Sequence, residues 1–177
     1  MTTTDQGADT YILFTVADTS YALSSEDVRH MEMVDQVTPV PNAADYLEGV
    51  VLSRGQIVPV VNLRARFGFA KVPHDLRTRL LIVRSGERWV GLVVDSAREF
   101  VTIPRAAIEP PSNAIAGLSR DYLRGIANIG GRLVLVLDVT NVLDTSVVPG
   151  AQGRPGDRAP GDSPPAAAAA GRHQTNA

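Results

Sequence analysis

Residues 46–67 read YLEGVVLSRGQIVPVVNLRARF, and residues 122–143 read YLRGIANIGGRLVLVLDVTNVL. The two stretches align without a gap at an offset of 76 residues, and six of their 22 positions are identical: Tyr46 with Tyr122, Leu47 with Leu123, Gly49 with Gly125, Gly55 with Gly131, Val58 with Val134 and Val60 with Val136. Several other positions exchange one aliphatic residue for another. Each copy holds a Tyr-Leu-x-Gly turn, a strand, a glycine turn and a second strand. A block that occurs twice in one chain is one supersecondary unit used twice. The segments ahead of the two copies, FTVADTSYAL (14–23) and LIVRSGERWVGL (81–92), both read as hairpins. Two related small β-barrels account for this pattern better than one sandwich.

Working outward, short Val- and Ile-rich runs alternate with connections of a few residues bearing Gly or Asp. Tyr11–Val16 meets Ala17-Asp18-Thr19-Ser20, Gly49–Leu52 meets Ser53-Arg54-Gly55, Leu80–Val83 meets Arg84-Ser85-Gly86-Glu87, and Ile126–Ile129 meets Gly130-Gly131. Strand, tight turn, strand is the hairpin signature. IVPVVNL and LVLVLDV are apolar on both faces, as strands of small barrels are. Helix signals are few: an N-cap at Ser24-Ser25-Glu26-Asp27 before Val28, a turn or two at Asn42–Leu47 and at Ser119–Leu123, and a closing turn at Asp138–Leu143.

Composition divides the chain into three zones. Residues 1–9 are a polar lead without an apolar stretch, which does not read as a signal peptide. Residues 10–148 carry the large apolar side chains. Residues 149–177 lack Val, Ile, Leu, Met, Phe, Trp and Tyr, and 18 of the 29 are Pro, Gly or Ala. Such a segment cannot bury enough apolar area to offset the entropy of ordering it, and it reads as a disordered tail. The formal charge of −2 gives no long-range pull toward phosphate or anionic lipid. There is no cysteine, which removes disulfides and thiolate sites and fits a reducing compartment. No apolar run approaches the ~20 residues of a membrane helix. The expectation is a cytoplasmic protein.

Catalytic chemistry is hard to find. Neither G-x-x-x-x-G-K-[ST] nor G-x-G-x-x-G is present. His30, His74 and His173 are far apart in sequence, so no metal or acid–base role is expected of them. Asp95 follows a strand, and the expected role is a turn residue capping backbone N–H groups. Arg54, Arg64, Arg66, Arg77, Arg79 and Arg84 raise the question of a nucleic-acid surface. The 5% aromatic content offers few stacking platforms, and a solvated rim of barrel loops is the expected reading. No enzyme, cofactor, metal or nucleic-acid partner is expected.

The segment GVVLSRGQIVPVVNLRARFG (49–68) resembles the signature of the CheW family of chemotaxis coupling proteins: a glycine, an apolar strand, an Arg-Gly turn and a PxVDLR-like strand. Here these are Gly49, Val50-Val51, Arg54-Gly55 and Pro59-Val60-Val61-Asn62-Leu63-Arg64. WVGLVVD (89–95) and YLRGIANIGGRLVLVLDVTNVL follow in the family's order, so the resemblance spans residues 11–144. It implies two five-stranded, SH3-like barrels side by side around separate cores, with an apolar groove between them and a few short helices. The two barrel halves, roughly 10–79 and 80–148, would be free to exchange terminal strands. With no room for a kinase or receiver domain, the family member implied is the stand-alone adaptor.

By that resemblance the chain joins the cytoplasmic tip of methyl-accepting chemoreceptors to the regulatory domain of a CheA-type histidine kinase, recruited to membrane receptor arrays without entering the bilayer. Val28, Gly49, Arg54 and Ile57 are implied at or near the receptor site, in the groove; no kinase-contact residue is implied. Gly49 fits a backbone role as well as a contact, whereas Gly55 is read as the conformational residue of the hairpin turn. Ile57, at a strand start, fits the core, Val28 fits either reading, and Arg54 fits packing least. The family commonly has Asn-Leu where Leu52 and Ser53 stand, a glutamate where His30 stands, and an aspartate where Asn62 stands. Glu32 or Glu26 would then have to serve as the partner of Arg54. These departures point toward a divergent receptor or a non-flagellar chemosensory pathway. The alternatives from other classes are a protein-binding module outside chemotaxis and a small-barrel nucleic-acid binder.

Overall fold

The computed structural model describes residues 7–111 and 121–144. Eleven strands form two sheets among these residues. In chain order they are β1 (Ala8–Val16), β2 (Thr19–Ser24), β3 (Val28–Met33), β4 (Leu47–Ser53), β5 (Gln56–Asn62), β6 (Arg79–Ser85), β7 (Arg88–Val94), β8 (Ser96–Pro104), β9 (Ile108–Glu109), β10 (Leu123–Ile129) and β11 (Arg132–Leu137). Two short helices, α1 (Leu63–Arg66) and α2 (Val139–Leu143), end the two repeats. The protein is all-β, with one SH3-like barrel built on each sheet.

Local chemistry sets the hairpins. Three turns have two central residues in the left-handed region: Ala17-Asp18 at φ 47° and 63°, Arg54-Gly55 at 47° and 80°, and Gly130-Gly131 at 58° and 83°. Two consecutive positive φ values make the turn whose twist matches the flanking strands. Glycine adopts this region freely, whereas Arg54 takes it at a cost.

The sheets run β8-β1-β2-β11-β10-β9 and β3-β6-β7-β5-β4. The five-stranded sheet therefore occupies one stretch from Val28 to Val94, and the six-stranded sheet is built from the segments on either side. A division near residue 79 separates the sequence repeats but falls inside the five-stranded sheet. The reason is a reciprocal exchange of hairpins. The β1–β2 hairpin leaves the first repeat and pairs in parallel with β11, Leu135 opposite Tyr21 and Val136 opposite Ala22. The β6–β7 hairpin leaves the second and pairs in parallel with β5, Val60 opposite Gly91 and Val61 opposite Leu92. Val60 and Val136 are equivalent in the repeat, so both joints have the same register.

Three apolar cores result. Tyr11, Leu13, Ala22, Ile103, Ala127, Val134 and Val136 fill the six-stranded barrel. Val51, Val58, Val60, Leu80, Ile82 and Val93 fill the five-stranded one. The largest core lies between the sheets and draws on both, including Phe14, Leu23, Leu63, Leu81, Leu92, Tyr122, Leu137 and Val142. Phe14, Tyr21, Phe67 and Tyr122 form a continuous aromatic row with successive centroids 5.8, 5.3 and 5.8 Å apart. Each fully buried side chain of this size is worth about 1.5–3 kcal/mol relative to exposure. The space between the barrels thus holds a shared core in addition to the two separate ones expected.

Of the three helix expectations that fall wholly within the described residues, one is met. Asp138 caps α2, accepting from the Thr140 and Asn141 N–H groups at 2.9 and 3.2 Å. Ser24–Asp27 is only a turn, closed by Asp27 N–H to the Ser24 carbonyl, and Val28 opens a strand. The alternating burial of Val28–Met33 against β6 overrides the cap-like residues ahead of it. Asn42–Leu47 is turn followed by strand. Ser119–Leu123 lies partly outside the described residues, and its end, Leu123, opens β10. Conversely, α1 continues directly from strand β5: Asn62, the equivalent of Asp138, accepts from the Ala65 N–H at 3.1 Å.

Candidate functional site

The four residues implied by resemblance all belong to the five-stranded barrel, in three settings. Gly49 lies buried within β4 with φ +148°, and an added Cβ would stand 2.0 Å from the Thr38 carbonyl oxygen. Thr38 is held there by two backbone bonds with Val50, of 2.8 and 2.9 Å. Glycine is thus required for chain passage at this point. Val28 opens β3 beside Val83 and packs against the shared core. Arg54 and Ile57 sit together at the exposed end of the β4–β5 hairpin.

That hairpin end has the marks of a contact surface. Ile57 and its cross-strand neighbour Leu52 are each 75% exposed, so Ile57 points away from the core. A period-two signal was available in the sequence: Val58 and Val60 recur as Val134 and Val136, so Ile57 and Pro59 belong to the other face. An open depression of about 400 Å³ beside Ile57 is bordered by Pro59, Arg88 and Trp89. Arg54 makes no hydrogen bond or ion pair among the described residues. An unpaired cation on a left-handed turn beside two exposed aliphatic side chains contributes little to folding. Its arrangement fits contact with another molecule.

Neither acid considered for Arg54 reaches it. Glu32 bonds instead to His30, Oε2 to Nε2 at 3.2 Å, and the same Nε2 is 3.2 Å from Ser53 Oγ. The His30 Nδ1 atom is buried with no hydrogen-bond partner among the described residues. Arg29 donates to Gln56 Oε1 at 3.3 Å and lies 4.8 Å over the Trp89 ring. These contacts tie edge strand β3 to the hairpin that carries Arg54.

Two other arginines depart from the expected solvated rim. Arg66 is buried, stacked over Tyr46 at 4.7 Å and Tyr122 at 5.3 Å, and it donates to the Val142 and Asp144 carbonyls. Arg64 makes a bidentate pair with Asp95, both bonds 2.7 Å, and Asp95 also accepts from the Ala17 N–H at 2.8 Å. The carboxylate raises the Arg64 pKa above its ordinary value, chiefly through that hydrogen bond. Asp95 is engaged in joining β7, α1 and the β1–β2 turn. Asn62 donates to Glu48, which also pairs with His74 at 3.2 Å. Among the described residues no group of three or more His, Cys, Asp or Glu side chains could hold a metal ion. No described helix is long and apolar enough to cross a membrane.

Known proteins match this arrangement. The CheW-like domain family model covers residues 10–147. The chain is 30% identical over 135 residues to a chemotaxis protein CheW from Klebsiella aerogenes, covering 76% of this chain and 81% of the relative. It is 28% identical to CheW of Bacillus subtilis, covering 81% and 92%, and 26% identical to protein FrzA of Myxococcus xanthus, covering 77% and 86%. The crystal structure of the scaffolding protein TtCheW from Thermoanaerobacter tengcongensis superimposes with a TM-score of 0.74 at 25% identity, over 80% of this chain and 97% of that one. Two exchanged barrels, buried polar side chains engaged in structural contacts and a family match across nearly the whole described chain lead to one conclusion: this protein belongs to the CheW-like domain family, the scaffolds of chemotaxis signalling.

Proposed function

We propose that this protein couples methyl-accepting chemoreceptors to a CheA-type histidine kinase, binding both and catalysing nothing itself. The observation that carries the reading is the end of the β4–β5 hairpin, where Arg54, unpaired at φ 47°, adjoins the exposed Leu52 and Ile57. A helical receptor tip has the shape to lie against such a surface, with apolar anchors and a cation at the margin. Gly49 supports the site by letting Thr38 and Pro39 pass close to β4, and Val28 links it to the shared core. Coupling then needs no active site: a receptor state that binds the assembly more tightly shifts the kinase between its two activities by that difference in affinity. The protein would act in the cytoplasm, at receptor arrays.

The His30–Glu32–Ser53 contacts at this surface favour a second, narrower version. The family's glutamate is replaced by a histidine that does not engage Arg54, which leaves the arginine free for a different receptor side chain and fits a non-flagellar chemosensory pathway. Affinity capture with the tagged full-length chain from its native lysate tests both versions. A histidine kinase and a methyl-accepting receptor among the captured proteins support the coupling role, and their genes identify the pathway. Capture of neither, with both present in the lysate, contradicts it.

A further inference from the structure

The exchanged hairpins and the strands that follow them are related at an offset of 69 residues. Thr15 opposite Ser20 in β1–β2 corresponds to Arg84 opposite Trp89 in β6–β7. Arg29 and Arg98 correspond as well. Each is the extra residue where register slips, β3 against β6 between Val28 and His30, and β8 against β1 between the partners of Phe14 and Leu13. The two barrel ends are therefore the same construction with different side chains.

In the five-stranded barrel that end is plugged. Trp89 packs against the barrel core, and Arg29 lies over its ring, steadied by Gln56. In the six-stranded barrel the tryptophan position is Ser20. The space left is a cavity of about 100 Å³ bordered by Leu13, Thr15, Ser20, Ser96, Arg98 and Arg132, well above the ~10–15 Å³ that one water needs. Arg98 has no hydrogen bond or ion pair among the described residues. Arg132, which takes the place of Gln56, reaches Glu99 at 3.3 Å. The Thr15 and Ser96 hydroxyls are bonded to each other at 2.8 Å on the cavity wall.

We propose that this open barrel end is a docking site for an exposed tryptophan or tyrosine of a protein partner, seated under Arg98 as Trp89 is seated under Arg29. The other half of the chain shows the occupant that this geometry accepts. An arginine plane over an aromatic face is attractive when water is excluded. Aromatic anchors in small pockets are also the usual centres of protein interfaces. Leu13, which belongs to the core of the six-stranded barrel, lines the cavity and suits a ring. Glu99, paired with Arg132 at the rim, disfavours a free anion. The site lies on the sheet that does not carry Val28, Gly49, Arg54 and Ile57, so it is separate from the surface assigned to the receptor.

The test is an amide NMR titration of the full-length protein with N-acetyl-tryptophan amide, and with N-acetyl-alanine amide as control. The tryptophan probe should shift the amides of Ser20, Ser96 and Arg98 in a saturable way, and the alanine probe should not. Ser20→Trp, which fills the cavity from within, should abolish the shifts. Arg98→Ala, at an exposed position that does not threaten folding, should weaken binding about fivefold. Absence of saturable shifts overturns the proposal, as does their persistence at full strength in Arg98→Ala. Inorganic phosphate producing the same shifts and displacing the tryptophan probe overturns it too, making the cavity an anion site.

Discussion

The Arg66 Nε donates to the carbonyl oxygen of Val142 at 2.8 Å, and residues 66 and 142 are the same position in the two repeats. Equivalent positions of the two copies therefore meet, and the repeat is unequal there: one copy supplies a cation and the other its acceptor. The guanidinium also stacks on Tyr46 and Tyr122, the equivalent tyrosines that open the two copies. One buried side chain thus joins both α-helical ends and both Tyr-Leu-x-Gly turns.

Arg66→Met should consequently lower stability by about 3 kcal/mol, since two carbonyls lose a charged donor. For a domain of this size that is roughly 6–12 °C in Tm. Arg66→Lys should recover less than half, because an ammonium cannot reproduce the planar fork or the double stacking. Calorimetry of the three proteins measures this directly.

Gly49→Ala should destabilise by about 3 kcal/mol or more, the cost of forcing Thr38 and Pro39 away from β4. The readout is the urea midpoint. A variant that folds normally yet fails to bind would mean instead that Gly49 contacts a partner.

Asn62→Asp restores the residue expected from the family pattern, but here it should cost about 1–2 kcal/mol at neutral pH. Asn62 donates to Glu48, and an aspartate would set one carboxylate against another. Glu48→Gln in the Asn62→Asp background should return most of the loss, a coupling measurable by a double-mutant cycle.

Asp75 is held down to about 2, first by the hydrogen bond from the Arg77 side chain. Its contribution is fully present above the unfolded value near ~3.9 and is lost as pH falls through the folded value. Arg77→Ala should thus separate from the wild type in urea midpoint at pH 5, and the two should draw together as pH falls toward 2 and coincide below it.

Much of this fold was legible because its signals are local. Gly130-Gly131 and Ala17-Asp18 mark hairpins through backbone conformation alone, and the repeat of residues 46–67 in 122–143 exposes the doubled architecture. The hairpin exchange is not local. The parallel pairings of β2 with β11 and of β5 with β7 join residues more than a hundred and about thirty positions apart, and they leave no mark in either strand's composition. Helix α1 was hidden because its first residues continue the apolar run of β5, with only Asn62 to signal the change. Arg66 read as one of a row of surface arginines, since nothing in ARARF shows which arginine turns inward. At the candidate site, Arg54 was legible as an arginine on a tight turn with no packing reason. That Glu32 would bond to His30 and not reach Arg54 depended on side-chain geometry across strands.

The most direct measurement is receptor-dependent kinase activity, reconstituted from the captured receptor and kinase with wild-type protein, Arg54→Gly and Arg54→Glu. Glycine relieves the left-handed strain at φ 47°, so Arg54→Gly should keep or slightly raise the melting temperature. Arg54→Glu should leave it nearly unchanged. The account predicts that wild-type protein is required for receptor control of the kinase, that Arg54→Glu abolishes it, and that Arg54→Gly weakens it at least tenfold in receptor affinity. Full receptor control with either variant, or without the protein at all, would contradict it.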